Sequence, residues 1–241
     1  LSGIYERTGG EGDQDRHSHG THCAGLATAA TNNGKGIGSL NWDGEYLSLS
    51  GYPALDASGR GTDVTVSRAI LAAADGGADV ISLSLGGPSL FGPPKAQSDA
   101  IQYARKKGAI VVVAAGNSND DARRYSPANI KGVITVSAVN EQFEKAPFSN
   151  TNSGLKMPIA SPGVNIFSSI PGGQYQSFNG TSMATPIVSG LIGVMRSLNP
   201  NLTGEQAYEI IKATGKQLND SDKVGLLIQP KAALEAVAKG M

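Results

Sequence analysis

The chain has 241 residues, 39% of them hydrophobic, enough for one well-buried core, so a single domain over residues 1–241 is expected. Twenty Lys and Arg balance twenty Asp and Glu, which leaves no field to hold nucleic acid or an anionic membrane surface. One cysteine, Cys23, excludes an intrachain disulfide framework and a cysteine-built zinc site, and the lack of a long apolar run argues against a membrane-spanning helix.

The first residues carry no signal-peptide pattern, which fits a cytoplasmic chain or a mature secreted one. His19-Gly20-Thr21-His22-Cys23-Ala24-Gly25 then leads into the alanine-rich stretch 26–30, which predicts a helix with His19 at its start. A histidine on a rigid helix start can be aimed reproducibly, as a general base must be. His17, His19 and His22 also raise a metal site, but there is no third ligand pattern and no HExxH motif, so no metal is expected there. Hydrogen-bonded structural histidines are the plainer alternative.

Residues 64–75 and 97–107 carry apolar side chains at three- and four-residue spacing and predict helices, the second closed by Arg105, Lys106, Lys107 and Gly108. Residues 79–85, 109–115 and 133–139 are short β-branched and apolar runs, as buried strands should be. Residues 89–94 and 118–129 read as surface loops. The alternation implies right-handed βαβ units and an α/β fold, a parallel central sheet flanked by helices on both faces. Thirty-two glycines and 5% aromatics fit its tight turns.

Ala114-Ala115-Gly116-Asn117 falls at the C-terminal end of a predicted strand, where ligands bind in parallel α/β sheets and an asparagine amide can donate to an oxyanion. Asn179-Gly180-Thr181-Ser182-Met183-Ala184-Thr185-Pro186 precedes an apolar helix over 187–198, which puts Ser182 at a helix N-terminus that favours developing negative charge. Taken singly, Thr-Ser before a helix is an ordinary N-cap and Asn117 an ordinary turn residue.

Together, His-Gly-Thr-His at 19–22, Ser-Leu-Gly-Gly at 84–87, Ala-Ala-Gly-Asn at 114–117 and Gly-Thr-Ser-Met-Ala-Thr-Pro at 180–186 are similar to the subtilase family of serine proteases, and Cys23 resembles its proteinase K branch. The resemblance implies a three-layer fold and a serine endopeptidase working through an acyl-enzyme. His19 matches the general base, Ser182 the nucleophile, and Asn117 the side-chain oxyanion donor beside the Ser182 N–H. His22 matches a structural histidine, and His17 matches nothing functional. Ser84, Leu85 and Gly86 with Ala114, Ala115 and Gly116 match the walls of the S1 pocket. Gly59, Arg60 and Gly61 match an edge segment that pairs with the substrate backbone. A broad or hydrophobic P1 preference follows, although Arg60, Arg123, Arg124 and Tyr125 depart from the pattern in a way that could narrow the pocket or favour acidic side chains.

One part of the resemblance breaks. The family carries a triad aspartate in an Asp-Ser/Thr-Gly motif on its first buried strand, and too few residues precede His19 to hold it. Leu1-Ser2-Gly3-Ile4 has leucine in the aspartate's place, and Asp13 and Asp15 read as solvated loop acids. The first strand is therefore expected to be missing from these residues, either because a separate N-terminal segment nicked between aspartate and histidine supplies it or because the sequence is truncated, with a polypeptide substrate and a propeptide as further partners. The alternative is an impaired, peptide-binding pseudoprotease. No cofactor is required; residues 32–37 match a loop that gives carbonyl ligands to structural calcium in relatives, with Lys35 against it. A secreted or periplasmic mature form is expected.

Overall fold

A computed structural model of the protein describes residues 15–240; the segment Leu1-Ser2-Gly3-Ile4 and Asp13 lie outside the described residues. In chain order the main elements are α1 (His19–Thr28), α2 (Asp63–Asp75), β1 (Val80–Leu83), α3 (Lys95–Lys106), β2 (Ile110–Ala114), β3 (Ile134–Val139), β4 (Pro158–Pro162), β5 (Ile166–Ile170), β6 (Gln174–Phe178), α4 (Thr181–Leu198), α5 (Gly204–Thr214), α6 (Ser221–Val224), β7 (Leu226–Leu227) and α7 (Pro230–Ala238).

The central sheet has five strands in the order β7-β4-β3-β2-β1, all neighbours parallel, with Val80 opposite Ile110 and Leu83 opposite Val113. Every residue of β2 and β3 is buried, which is why their sequences are continuous apolar runs and not alternating ones. Successive side chains point to opposite faces. Ile110 and Val112 join Ile134, Val136 and Ile159 under α4, α5 and α7, whereas Val111 and Val113 join Ile81 and Leu83 under α2 and α3. Burying each such side chain contributes about 1.5–3 kcal/mol. This is the expected three-layer α/β arrangement.

Local signals set the helix ends. Thr62 and Thr65 form a capping box at the start of α2, and Arg105 and Lys106 occupy the last turn of α3 before Gly108 turns the chain at φ 97. No described helix is long and apolar enough to cross a membrane.

Some expectations need correction. The first helix stops at Thr28, because Ala30 and Thr31 pair in parallel with Asn41 and Trp42. The 118–129 stretch is not simply a surface loop: Ala122 and Ser126 are buried, Asp121 accepts from the Arg123 N–H to start a 3-10 turn, and Tyr125–Ser126 pairs with Gly87–Pro88. The β5–β6 hairpin gave no sequence expectation, since it lies half-exposed outside the central sheet. Among the described residues β1 is an edge strand, with Ser82 exposed, and the stretch 46–55 joins no ladder.

Candidate active site

α1 and α4 cross closely because both are small-residue helices; a Cβ added at Gly190 would come within 2.6 Å of the Ala27 carbonyl oxygen. This contact brings the first residue of α1, His19, and the second of α4, Ser182, to the C-terminal end of the sheet. The N-cap of α4 is Gly180, so neither Thr181 nor Ser182 spends its hydroxyl on capping. Ser182 Oγ makes one bond, donating at 3.3 Å to the Ser84 carbonyl.

Pro186 lies inside α4 and has no N–H, so the Ser182 carbonyl four residues earlier lacks its helical donor. Ser84 Oγ donates to that carbonyl at 2.9 Å, and Cys23 Sγ at 3.3 Å. Cys23 lies one turn after His19 on the same face of α1, with Sγ 4.0 Å from His19 Nδ1. The three segments carrying His19, Ser84 and Ser182 thus meet around one orphan carbonyl. Burial pushes the Cys23 thiol up to about 12. Burial likewise pushes the His19 imidazole below the ordinary histidine range; His17 adds to this, and the Asp15 carboxylate opposes it.

Asn117 follows β2 through Ala115 and Gly116. Gly116 holds φ 103, and a Cβ there would meet Asn150 Nδ2 at 2.5 Å, so glycine is required. The fully buried Asn150 builds the loop: its Nδ2 donates to the Ala115 carbonyl at 2.9 Å, and its Oδ1 accepts from the Ser118 and Asp120 N–H groups. Asn117 Oδ1 accepts from the Thr181 N–H and hydroxyl, both at 2.9 Å, which leaves Nδ2 as the outward donor beside the start of α4.

Ser84 and Ala114–Gly116 therefore stand beside Ser182, and Leu85 and Gly86 continue from β1 toward the Ser126 carbonyl. Gly59, Arg60 and Gly61 are not in a strand: Asp56 Oδ1 accepts from the Ser58 and Arg60 N–H groups and folds the stretch into a turn. Arg123 and Arg124 each pair with an aspartate of their own loop, Asp121 and Asp120.

His22 is fully buried, bonds the Gln176 carbonyl through Nε2 at 3.0 Å and stacks on Phe178, tying α1 to the β5–β6 hairpin. Among the described residues no three His, Cys, Asp or Glu side chains converge on a metal position. In the 32–37 loop Asn33 Oδ1 accepts from the Lys35 N–H, and the Asp43 carboxylate accepts from Asn32 Nδ2. Asp15 is not a free loop acid; it accepts from the N–H groups of His17, Ser18 and Thr21. Among the described residues no carboxylate hydrogen-bonds to His19.

Sequence reasoning missed Thr181, Asn150 and Asp15. Thr181 sat inside the serine motif, and Pro186 four residues after Ser182 was a readable signal of a freed carbonyl. The buried Asn150 had no periodic signal.

A family model described as the Subtilase family matches residues 3–226. Thermitase from Thermoactinomyces vulgaris is 43% identical over 184 residues, 76% of this chain and 63% of thermitase. Subtilisin BL from Lederbergia lenta is 35% identical over 221 residues, 91% of this chain and 78% of that protein. A solved structure of proteases from Pseudoalteromonas arctica PAMC 21717 superposes with a TM-score of 0.80 at 29% identity, covering 91% of this chain and 70% of that one. With the serine, histidine and asparagine segments gathered at one end of a parallel sheet, these likenesses place the chain: it belongs to the subtilase family.

Proposed function

We propose that residues 1–241 make up a catalytic domain of a serine endopeptidase that hydrolyses peptide bonds through an acyl-enzyme on Ser182. The observation that carries the reading is the fixed Asn117 carboxamide beside Ser182 at the N-terminus of α4. In this mechanism Ser182 Oγ attacks the substrate carbonyl while His19 takes its proton. Asn117 Nδ2 and the Ser182 N–H, assisted by the positive end of α4, hold the oxyanion. His19 then protonates the leaving amine, and water repeats the cycle to release the acid. The names of thermitase and subtilisin BL support the activity by likeness.

The S1 walls are the Ser84–Gly86 and Ala114–Gly116 stretches, whose small side chains leave room for an apolar P1 residue. Gly59, Arg60 and Gly61 meet the substrate backbone from an irregular turn, whose main-chain groups bind an extended peptide without much regard to sequence. No step of the chemistry passes through calcium.

A strand outside the described residues supplies the triad aspartate. Among the described residues the edge of β1 is open, with Ser82 exposed, and this supports the reading, because an unpaired edge beside a core is unfavourable. A propeptide and a secreted mature form complete the reading by family likeness. The peptide-binding alternative has no geometry of its own in its favour. Fluorophosphonate labelling of the chain, with Ser182→Ala as control, tests the proposal. Label on Ser182 supports it; an unlabelled chain in the presence of an aspartate-bearing strand overturns it.

A further inference from the structure

The start of α1 is held in an unusual way. Ser18, just before the first helical residue, sits in the left-handed region at φ 68 and ψ −22, and its hydroxyl caps nothing. A serine there is strained and persists only if its surroundings hold it. The holding group is Asp15. One of its oxygens accepts from the His17 and Ser18 N–H groups at 2.9 and 3.0 Å; the other accepts from the Thr21 N–H and hydroxyl, both at 2.8 Å. Both sides of His19 are thereby pinned to one carboxylate. Gly20 lies beside the carboxylate, where a Cβ would make an ordinary contact 3.5 Å from Asp15 Oδ2.

We infer that Asp15 is a positioning residue for His19: by locking the left-handed entry into α1 it fixes the direction in which the imidazole leaves the backbone. The inference rests on the proposed role of His19 as general base. Asp15 does not touch the imidazole or the reacting atoms. Burial alone would raise its own proton affinity, but the four hydrogen bonds outweigh this and keep it ionised. Its charge therefore also acts on His19, against the opposing influence of burial, His17 and His22, and with the Cys23 thiol at the Nδ1 side. A cap that served only helix stability would leave the plateau rate of Ser182 labelling unchanged in variants that stay folded.

Asp15→Ala and Asp15→Asn are compared with the parent full-length chain, at a temperature where circular dichroism shows each fully folded. Two quantities are read from about pH 5 to 9, the rate of fluorophosphonate labelling at Ser182 and the NMR titration of the His19 ring. Asp15→Ala is expected to lose about 10- to 100-fold in plateau labelling rate, the scale of a misplaced catalytic group. Asp15→Asn keeps an oxygen for the His17 and Ser18 amides and should lose less, while the His19 midpoint falls in both. Folded variants with the parental rate and midpoint overturn the inference. If the parent takes no label, the proposed function fails separately, and an unmoved His19 midpoint in the variants still overturns the role of Asp15. If Asp15→Ala does not fold, Asp15→Asn decides by the same two readings.

Discussion

Thr181 grips the carboxamide of Asn117 with two donors, its N–H and its hydroxyl, each 2.9 Å from Oδ1. A side-chain amide held at its oxygen has only its nitrogen left to offer, so one contact decides which end of Asn117 faces a substrate. The same hydroxyl accepts from the Gly116 N–H at 3.2 Å, which ties the loop after β2 to α4. Asn117→Ala is expected to lower the acylation rate of Ser182 by roughly 10²–10³ with little change in affinity for a peptide that binds without covalent addition. Thr181→Val keeps the N–H but loses the hydroxyl, and should cost about ten-fold, the worth of one hydrogen bond. Pre-steady-state acylation of both variants checks this; a wild-type rate in Asn117→Ala would remove the oxyanion role.

The α1–α4 contact offers a test in which two effects oppose. Alanine favours a helix interior over glycine by about 0.8–1 kcal/mol, so Gly190→Ala should stabilise α4 in isolation. In the folded chain the new methyl meets the Ala27 carbonyl oxygen at 2.6 Å, and overpacking of that kind costs about 1–3 kcal/mol. The contact should win. A lower melting temperature is expected, together with slower Ser182 labelling as the helix carrying His19 is pushed away. A more stable Gly190→Ala with full reactivity would show that the helices do not approach this closely.

Much of this architecture was legible because it rests on periodic burial. The continuous apolar runs around Val112 and Val136 could only be strands covered on both faces, and the basic turn before Gly108 marked the end of α3 to within a residue or two. Polar connections were harder. Asp15 looks like any acid in a glycine-rich loop until its four donors fold around it, and Asn150 is one polar residue among several until Gly116 closes over it. The turn at Gly59–Gly61 was not legible either, because the pattern of a segment does not reveal that Asp56 will claim the Ser58 and Arg60 amides.

Cys23 keeps some exposed surface, but its sulfur faces the Ser182 carbonyl and is desolvated. With its acidity pushed to about 12, roughly 10⁻⁴ of the thiol is ionised at pH 8, and only the thiolate attacks alkylating agents. Iodoacetamide should therefore modify the native chain about 10³-fold more slowly than the urea-unfolded one, where the thiol returns to its ordinary acidity. Intact-mass kinetics in both states checks this. Rapid native alkylation would mean that the thiol is not held against Ser182 as described.

The pH dependence of acylation separates the described chain from its complex with an aspartate-bearing strand. In the chain alone burial holds His19 below the ordinary histidine range, so the base is already neutral near pH 7 and the acid limb of the labelling profile should lie below that range. Asp15 sets where the ring leaves the backbone, but among the described residues no carboxylate bonds the ring itself to fix its tautomer and stabilise the imidazolium that forms. Adding a peptide with an Asp-Ser/Thr-Gly motif, able to pair along β1, should place a carboxylate at Nδ1, where Cys23 Sγ now stands 4.0 Å away. A negative charge there favours the protonated ring, so the acid limb should move to higher pH. The plateau rate should at the same time rise by roughly 10⁴, the scale on which a triad aspartate acts. A peptide that binds along β1, shown by slowed amide exchange of Val80–Leu83, yet leaves limb and plateau unchanged would separate sheet completion from catalysis and end the two-segment reading.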